Sequence, residues 1–171
     1  MIQELVELKA SLREGRYEDA IAIAEDLELM GRKAIIRNIR SYLTILFVHL
    51  IKNQVEGRLT NSWAVSIRRS LVEIGDLNAM EKARSHYVKR GEWDDLLQAA
   101  FNNAIAEASL EVLGGRYKPK QLQQQVNASD LFQTATAMLE LTYLDGDAAI
   151  EGEINRAIAQ LPGSEHWIEE E

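Results

Sequence analysis

The chain is expected to be all-α: a single helical-bundle domain of about six to eight helices around a central apolar helix at residues 33–54. Three observations predict this. Apolar residues recur at i, i+3, i+4 and i+7 along most of the length. Only two prolines, Pro119 and Pro162, and ten glycines interrupt it. No segment sustains the alternation of β-branched residues that marks a strand.

Each element follows from this pattern. Residues 2–13 place Ile2, Leu5, Leu8 and Leu12 on one helical face. A second helix from Tyr17 carries Ala20, Ile21, Ala24 and Leu27, with Gly31 as its expected stop. The third, Lys33 to Gln54, is apolar over most of its circumference, so it should be packed on several sides. Leu43, Leu46 and Leu50 are its expected core.

Thr60, Asn61 and Ser62 are candidate caps for a helix that buries Trp63, Ile67, Leu71 and Ile74 and stops at Gly75. Asn78 with Glu81 suggests a capping box opening a helix to about Arg90, ended by Gly91. Trp93 to Leu113 is the clearest amphipath, with an Ala100, Ala104, Ala108 row that would admit a close neighbour. Gly114-Gly115 ends it. Lys118-Pro119-Lys120 is a loop or the first turn of a short Gln-rich helix. Ser129 should cap a helix burying Leu131, Ala135, Met138, Leu139 and Thr142. After the turn Asp145-Gly146-Asp147, a last helix uses Ile150, Ile154, Ala157, Ile158 and Leu161. The domain is expected to span 1–163, with 164–171 an acidic tail.

Charge is unevenly spread. The net is −8, yet residues 31–70 carry +7: eight Lys or Arg against the single acid Glu56. Residues 1–30 carry −5 and residues 71–171 carry −10. The acidic total argues against a generic nucleic-acid coat. The basic segment supplies the candidate partner-binding residues Lys33, Arg37, Arg40, Lys52, Arg58, Arg68 and Arg69. Lys33, Arg37 and Arg40 form one helical stripe, which can grip phosphates or pair with Glu25, Asp26 and Glu28 of the expected preceding helix. Internal pairing is the favoured reading. Nucleic acid is a less favoured partner.

Cysteine is absent, which fits a reducing compartment and removes thiolate metal ligands. The start MIQELVELK is acidic and amphipathic, unlike a signal peptide. The apolar run Tyr42–Ile51 is about half the length a bilayer span needs, so no membrane role is expected. The expected compartment is the cytoplasm.

Residues 15–24, Gly-Arg-Tyr-Glu-Asp-Ala-Ile-Ala-Ile-Ala, resemble the first helix of a tetratricopeptide repeat. Gly91-Glu92-Trp93 and Gly115-Arg116-Tyr117 echo that opening, but at separations of 76 and 24 residues rather than the repeat's period of about 34. A glycine stop followed by an aromatic residue explains all three; the repeat reading would imply a helical-repeat peptide binder.

A longer resemblance runs from Glu25-Asp26-Leu27-Glu28-Leu29-Met30-Gly31-Arg32 through Ser41 to His49-Leu50-Ile51-Lys52-Asn53-Gln54, Arg58, Ser62-Trp63 and Ile67-Arg68. This order and spacing, over about residues 17–70, resembles the bacterial family called domain of unknown function 29, and Asp95 to Gly114 is similar to its later amphipathic helix. Asn53 stands where that family usually has Trp, and Gly57 where it often has Pro. The segments 75–92 and beyond Asp130 depart from its expected pattern. The resemblance implies an all-helical bacterial protein and brings no activity or catalytic residues.

No catalytic constellation is visible. His49 could be a base or a ligand, but a half-buried histidine bonded to a carbonyl or carboxylate is the simpler use. Glu25 and Glu28 share a helix face, yet none of His49, His86 and His166 follows a Glu by three positions, as helical di-metal sites require. Ser62 lacks a glycine elbow, and Gly114-Gly115 follows a helix rather than a strand. No metal or cofactor is expected. The expected role is a non-enzymatic protein-interaction or adaptor module acting through a protein partner or self-association.

Overall fold

A computed structural model describes residues 2–80 and 85–168. The protein is 77% helical with a two-stranded sheet of minimal size. Packing divides the chain into two compact units, Met1–Asn38 and Ile39–Glu171.

The first unit holds α1 (Ile2–Arg13) and the opening of α2 (Tyr17–Glu56). Ser11 accepts the Arg16 N–H on its carbonyl at 2.9 Å, which shapes the link between them. Ser11 and Ala20 are the buried residues here among those described.

α2 corrects the expectation of two helices broken at Gly31. It runs unbroken for 40 residues, so the central helix is Tyr17–Glu56 rather than 33–54. A glycine ends a helix by entering the left-handed region. Gly31 keeps φ out of that region, so the ladder continues through it. Its cost is the roughly 1 kcal/mol by which Gly trails Ala inside a helix. α2 contains an 18-residue window of mean hydropathy 1.3, long and apolar enough to cross a membrane by length and composition, with 44% of it buried in protein.

The second unit is built on the rest of α2. Ile39, Leu43, Leu46, Phe47, Val48, Leu50 and Ile51 are buried, and Leu43, Leu46 and Leu50 are among the expected core. Ile45 is an exception at 39% exposure. The chain's three phenylalanines meet at the centre. The Phe47 ring lies 5.5 Å from Phe101 of α4 (Asp94–Ser109) and 5.4 Å from Phe132 of α6 (Ala128–Leu141). Phe101 and Phe132 are 5.0 Å apart. Tilted and edge-on rings at these spacings add about 0.5–1.5 kcal/mol per pair beyond area burial. Ala100, Ala104 and Ala108 are fully buried.

α3 (Asn61–Asn78) is capped by Thr60, whose hydroxyl accepts the Trp63 N–H at 3.1 Å. It passes through Gly75, where a stop was expected. α3 packs on α7 (Asp147–Ile158), α6 also packs on α7, and α4 packs on α5 (Pro119–Gln125). Pro119 opens α5 at its first position, where a missing N–H costs nothing. Asn127, not Ser129, caps α6: its side chain accepts the Asp130 N–H at 3.2 Å. The last helical turn, α8, is Glu165–Ile168.

The expected helix after Asn78 is also corrected. β1 (Ala79–Met80) pairs antiparallel with β2 (Ser85–His86). Asn78 is buried and its side chain grips Val88 on both sides, donating to its carbonyl at 2.9 Å and accepting its N–H at 2.7 Å. That pair of bonds ties Val88, in the bend after β2, back to the end of α3. Glu81, the other half of the expected capping box, lies outside the described residues.

Candidate functional site

The predicted basic residues are divided between the two units. Lys33 and Arg37 lie in the first unit; Arg40, Lys52, Arg58, Arg68 and Arg69 lie in the second. Because α2 is continuous, Glu25, Asp26 and Glu28 are on the same helix as the stripe, not on a neighbour. Asp26 stands two turns, about 10 Å, from Lys33 along the axis. Among the described residues no ion pair within 4 Å joins those acids to Lys33.

Lys52 and Arg68 are paired with acids that the sequence did not single out, and Arg58 with Glu56, the one acid of the basic segment. Lys52, its side chain 11% exposed, reaches Glu111 at 3.3 Å. Arg58 donates through Nε and Nη2 to Glu56 Oε1 at 3.1 and 2.9 Å. Arg68 meets Glu151 of α7 at 3.4 Å. Lys52 Nζ and the Arg58 guanidinium each lie 4.8 Å from the Trp63 ring centre. Trp63, 7% exposed, is therefore core on one side and a cation platform on the other. The Glu56 side chain, 8% exposed, also makes a long 3.5 Å contact with the N–H of Leu113, which has φ +48°.

Arg40 borders a polar recess of about 340 Å³ with Ser41, Thr44, Asn103 and Glu107. Lys33, Arg40 and Arg69 are exposed.

His49 is half-buried, and its Nδ1 has no hydrogen-bond partner among the described residues. Burial, then the nearby Lys52 charge, lowers its pKa from the ordinary histidine range, against a smaller pull upward from Glu111. Burial thus favours the neutral imidazole. The half-buried position is the expected one, and among the described residues no carbonyl or carboxylate bonds to Nδ1. Among the described residues no three His, Cys, Asp or Glu side chains are placed to hold a metal ion. Ser62 is exposed at the start of α3.

Sequence reasoning missed a second polar centre. Tyr143 Oη donates to the Val88 carbonyl at 2.6 Å and accepts from Trp93 Nε1 at 2.9 Å and Asn78 Nδ2 at 3.3 Å. Burial raises its pKa, partly offset by the bonds from Trp93 and Asn78. The His86 ring sits 4.6 Å from it, edge-on. The Tyr143 hydroxyl, the Asn78 amide and the Trp93 indole N–H satisfy one another and the Val88 backbone, which marks a structural junction. Beside it lies a cavity of about 420 Å³ lined in part by Asp76, His86, Asp145, Asp147 and Glu151. Only Asn78, misread as a cap, hinted at this junction in the sequence.

Gly15, Gly91 and Gly115, the glycines of the three repeat-like openings, all take left-handed φ of 71°, 80° and 82°. They share a local turn device.

Fold and site together define an all-α protein organised on one long helix. A family model, described as Domain of unknown function DUF29, matches residues 5–129. The chain belongs to that family. The match extends beyond 17–70 on both sides and includes residues 75–92, which depart from the pattern expected of the family. No curated protein matches the chain, and no solved structure matches it.

Proposed function

We propose that this protein is a non-enzymatic interaction module of the bacterial cytoplasm, acting through a protein partner or self-association. The observation that carries the reading is the surface of the first unit. Ile2, Leu5, Val6, Leu12, Tyr17, Ile21, Leu29 and Met30 are 42–82% exposed. Single exposed apolar residues are ordinary, but such a concentration on two short helical stretches is what contact surfaces have. The non-enzymatic part is supported by the bonding of the polar clusters, in which Tyr143, Asn78 and Trp93 satisfy one another.

Nucleic-acid binding is the second reading, favoured by the exposed Lys33, Arg40 and Arg69. The test is affinity purification from the native host, with bound protein and nucleic acid both analysed. A co-purifying protein or second copy, lost on Ile21→Glu, supports the proposal. Recovered RNA or DNA whose binding falls steeply with salt and is abolished in a Lys33→Ala, Arg37→Ala, Arg40→Ala variant would replace it.

A further inference from the structure

The opening of α2 carries a charge order that complements itself. Glu18, Ala22, Glu25, Leu29, Lys33 and Ile36 are spaced 4, 3, 4, 4 and 3 residues apart, the spacing of one helical seam. All except the half-buried Ile36 are exposed, and Leu29 is 52% exposed. The covered side of the same stretch is elsewhere. Ala20 is buried and Ala24 and Leu27 are half-buried; they stand about 140–180° round the helix from Leu29.

We infer that this seam docks against a second copy of the chain, antiparallel, about a two-fold axis at Leu29. In that register Leu29 meets Leu29, Glu25 faces Lys33, and Ala22 faces Ile36. At the seam's edges, Asp26 falls beside the other copy's Lys33, and Arg32 beside its Glu25 and Glu28. Parallel pairing would set acids on acids and bases on bases. The charge order therefore selects both the orientation and the occupant, because an isologous contact requires a patch complementary to itself. The inference rests on the proposed interaction role and names its partner.

A seam of about five turns is small against the roughly 800 Å² per partner of a stable interface. The dimer is therefore weak and concentration-dependent, with the exposed Ile21 flanking the seam.

Sedimentation equilibrium of the full chain across the micromolar range tests this. Wild type should show a reversible monomer–dimer equilibrium. Glu25→Lys alone and Lys33→Glu alone should each weaken it about tenfold or more, since each sets like charges face to face. Mixing the two variants should restore the dimer as a heterodimer, and the double variant should restore it as a homodimer. Circular dichroism confirms that the variants, changed at exposed positions, remain helical. A wild type that stays monomeric throughout, or a dimer indifferent to the charge swaps, overturns the inference. If the monomer still retains another protein through Ile21, the interaction role stands while this partner assignment falls.

Discussion

The two halves of α2 are one helix made in two ways. From Ile39 onward seven large apolar side chains are buried, and the helix is held by what surrounds it. From Tyr17 to Asn38 the one buried side chain is Ala20. There the helix depends more on intrinsic propensity and on its continuation into the packed half, because the costly nucleus has already formed. The difference teaches that continuity of secondary structure does not imply uniform stability. The first half should open more readily to solvent than the second.

The largest expected effect separates the halves directly. Phe47→Ala removes the ring shared by Phe101 and Phe132 and should cost about 3–5 kcal/mol in urea unfolding. Leu29→Ala, on an exposed face, should change stability of the dilute protein by no more than about 0.5 kcal/mol. Comparable losses at both positions would abolish the contrast.

Gly163 sharpens it from the backbone. A Cβ there would lie 2.6 Å from Arg58 Cα and 2.9 Å from the Gly57 carbonyl oxygen, at φ +71°. Gly163→Ala should cost about 2–4 kcal/mol, combining left-handed strain with a clash against main chain. The unfolding midpoint should fall while the slope holds.

Gly31→Ala runs the other way. Its added Cβ would meet nothing within 4 Å, and its φ is not left-handed. The variant should gain about 0.5–1 kcal/mol of helix stability. The gain should show as slower hydrogen exchange in residues 17–38, leaving the Phe47 region unchanged. Faster exchange there would mean that Gly31 is a hinge.

The smallest effect concerns pH. The His49 pKa is lowered in the folded state. Above the ordinary histidine range both states are neutral and His49 contributes nothing. As pH falls below that range, the unfolded chain takes up a proton that folded His49 refuses, so stability drops until the lowered folded value is passed. His49→Gln should remove that component of the acid loss, read as the difference between the variant's and wild type's stability from pH 7 to 5. An unchanged profile would show that His49 charges freely.

Helix periodicity made most of this fold legible, because an apolar face repeats whether or not its partner is known. Leu43, Leu46, Leu50 and the Ala100 row were visible for that reason. The errors cluster where a residue's meaning depends on a distant contact. Gly31 and Gly75 look like stops in isolation, but helical ladders on both sides carry through them. Asn78 looks like a cap because its bonds to Val88 and Tyr143 need a chain reversal that no local pattern announces. The basic segment was visible as composition; its partners Glu111 and Glu151 were not, since salt bridges across 59 and 83 positions leave no periodic trace.

Asn53 donates from one amide to two loops, to the Arg58 carbonyl at 3.0 Å and the Pro162 carbonyl at 2.8 Å. Its own position lies within the family match, whereas Pro162 and Gly163 lie beyond its end at residue 129. α3 likewise rests on α7, which the match omits. The segment the family model matches and the segment that packs together therefore differ in length. A chain cut at residue 129 would keep the whole of the family match and lose one wall of its interior, so the bounds of that match are a poor guide to where this polypeptide can be divided.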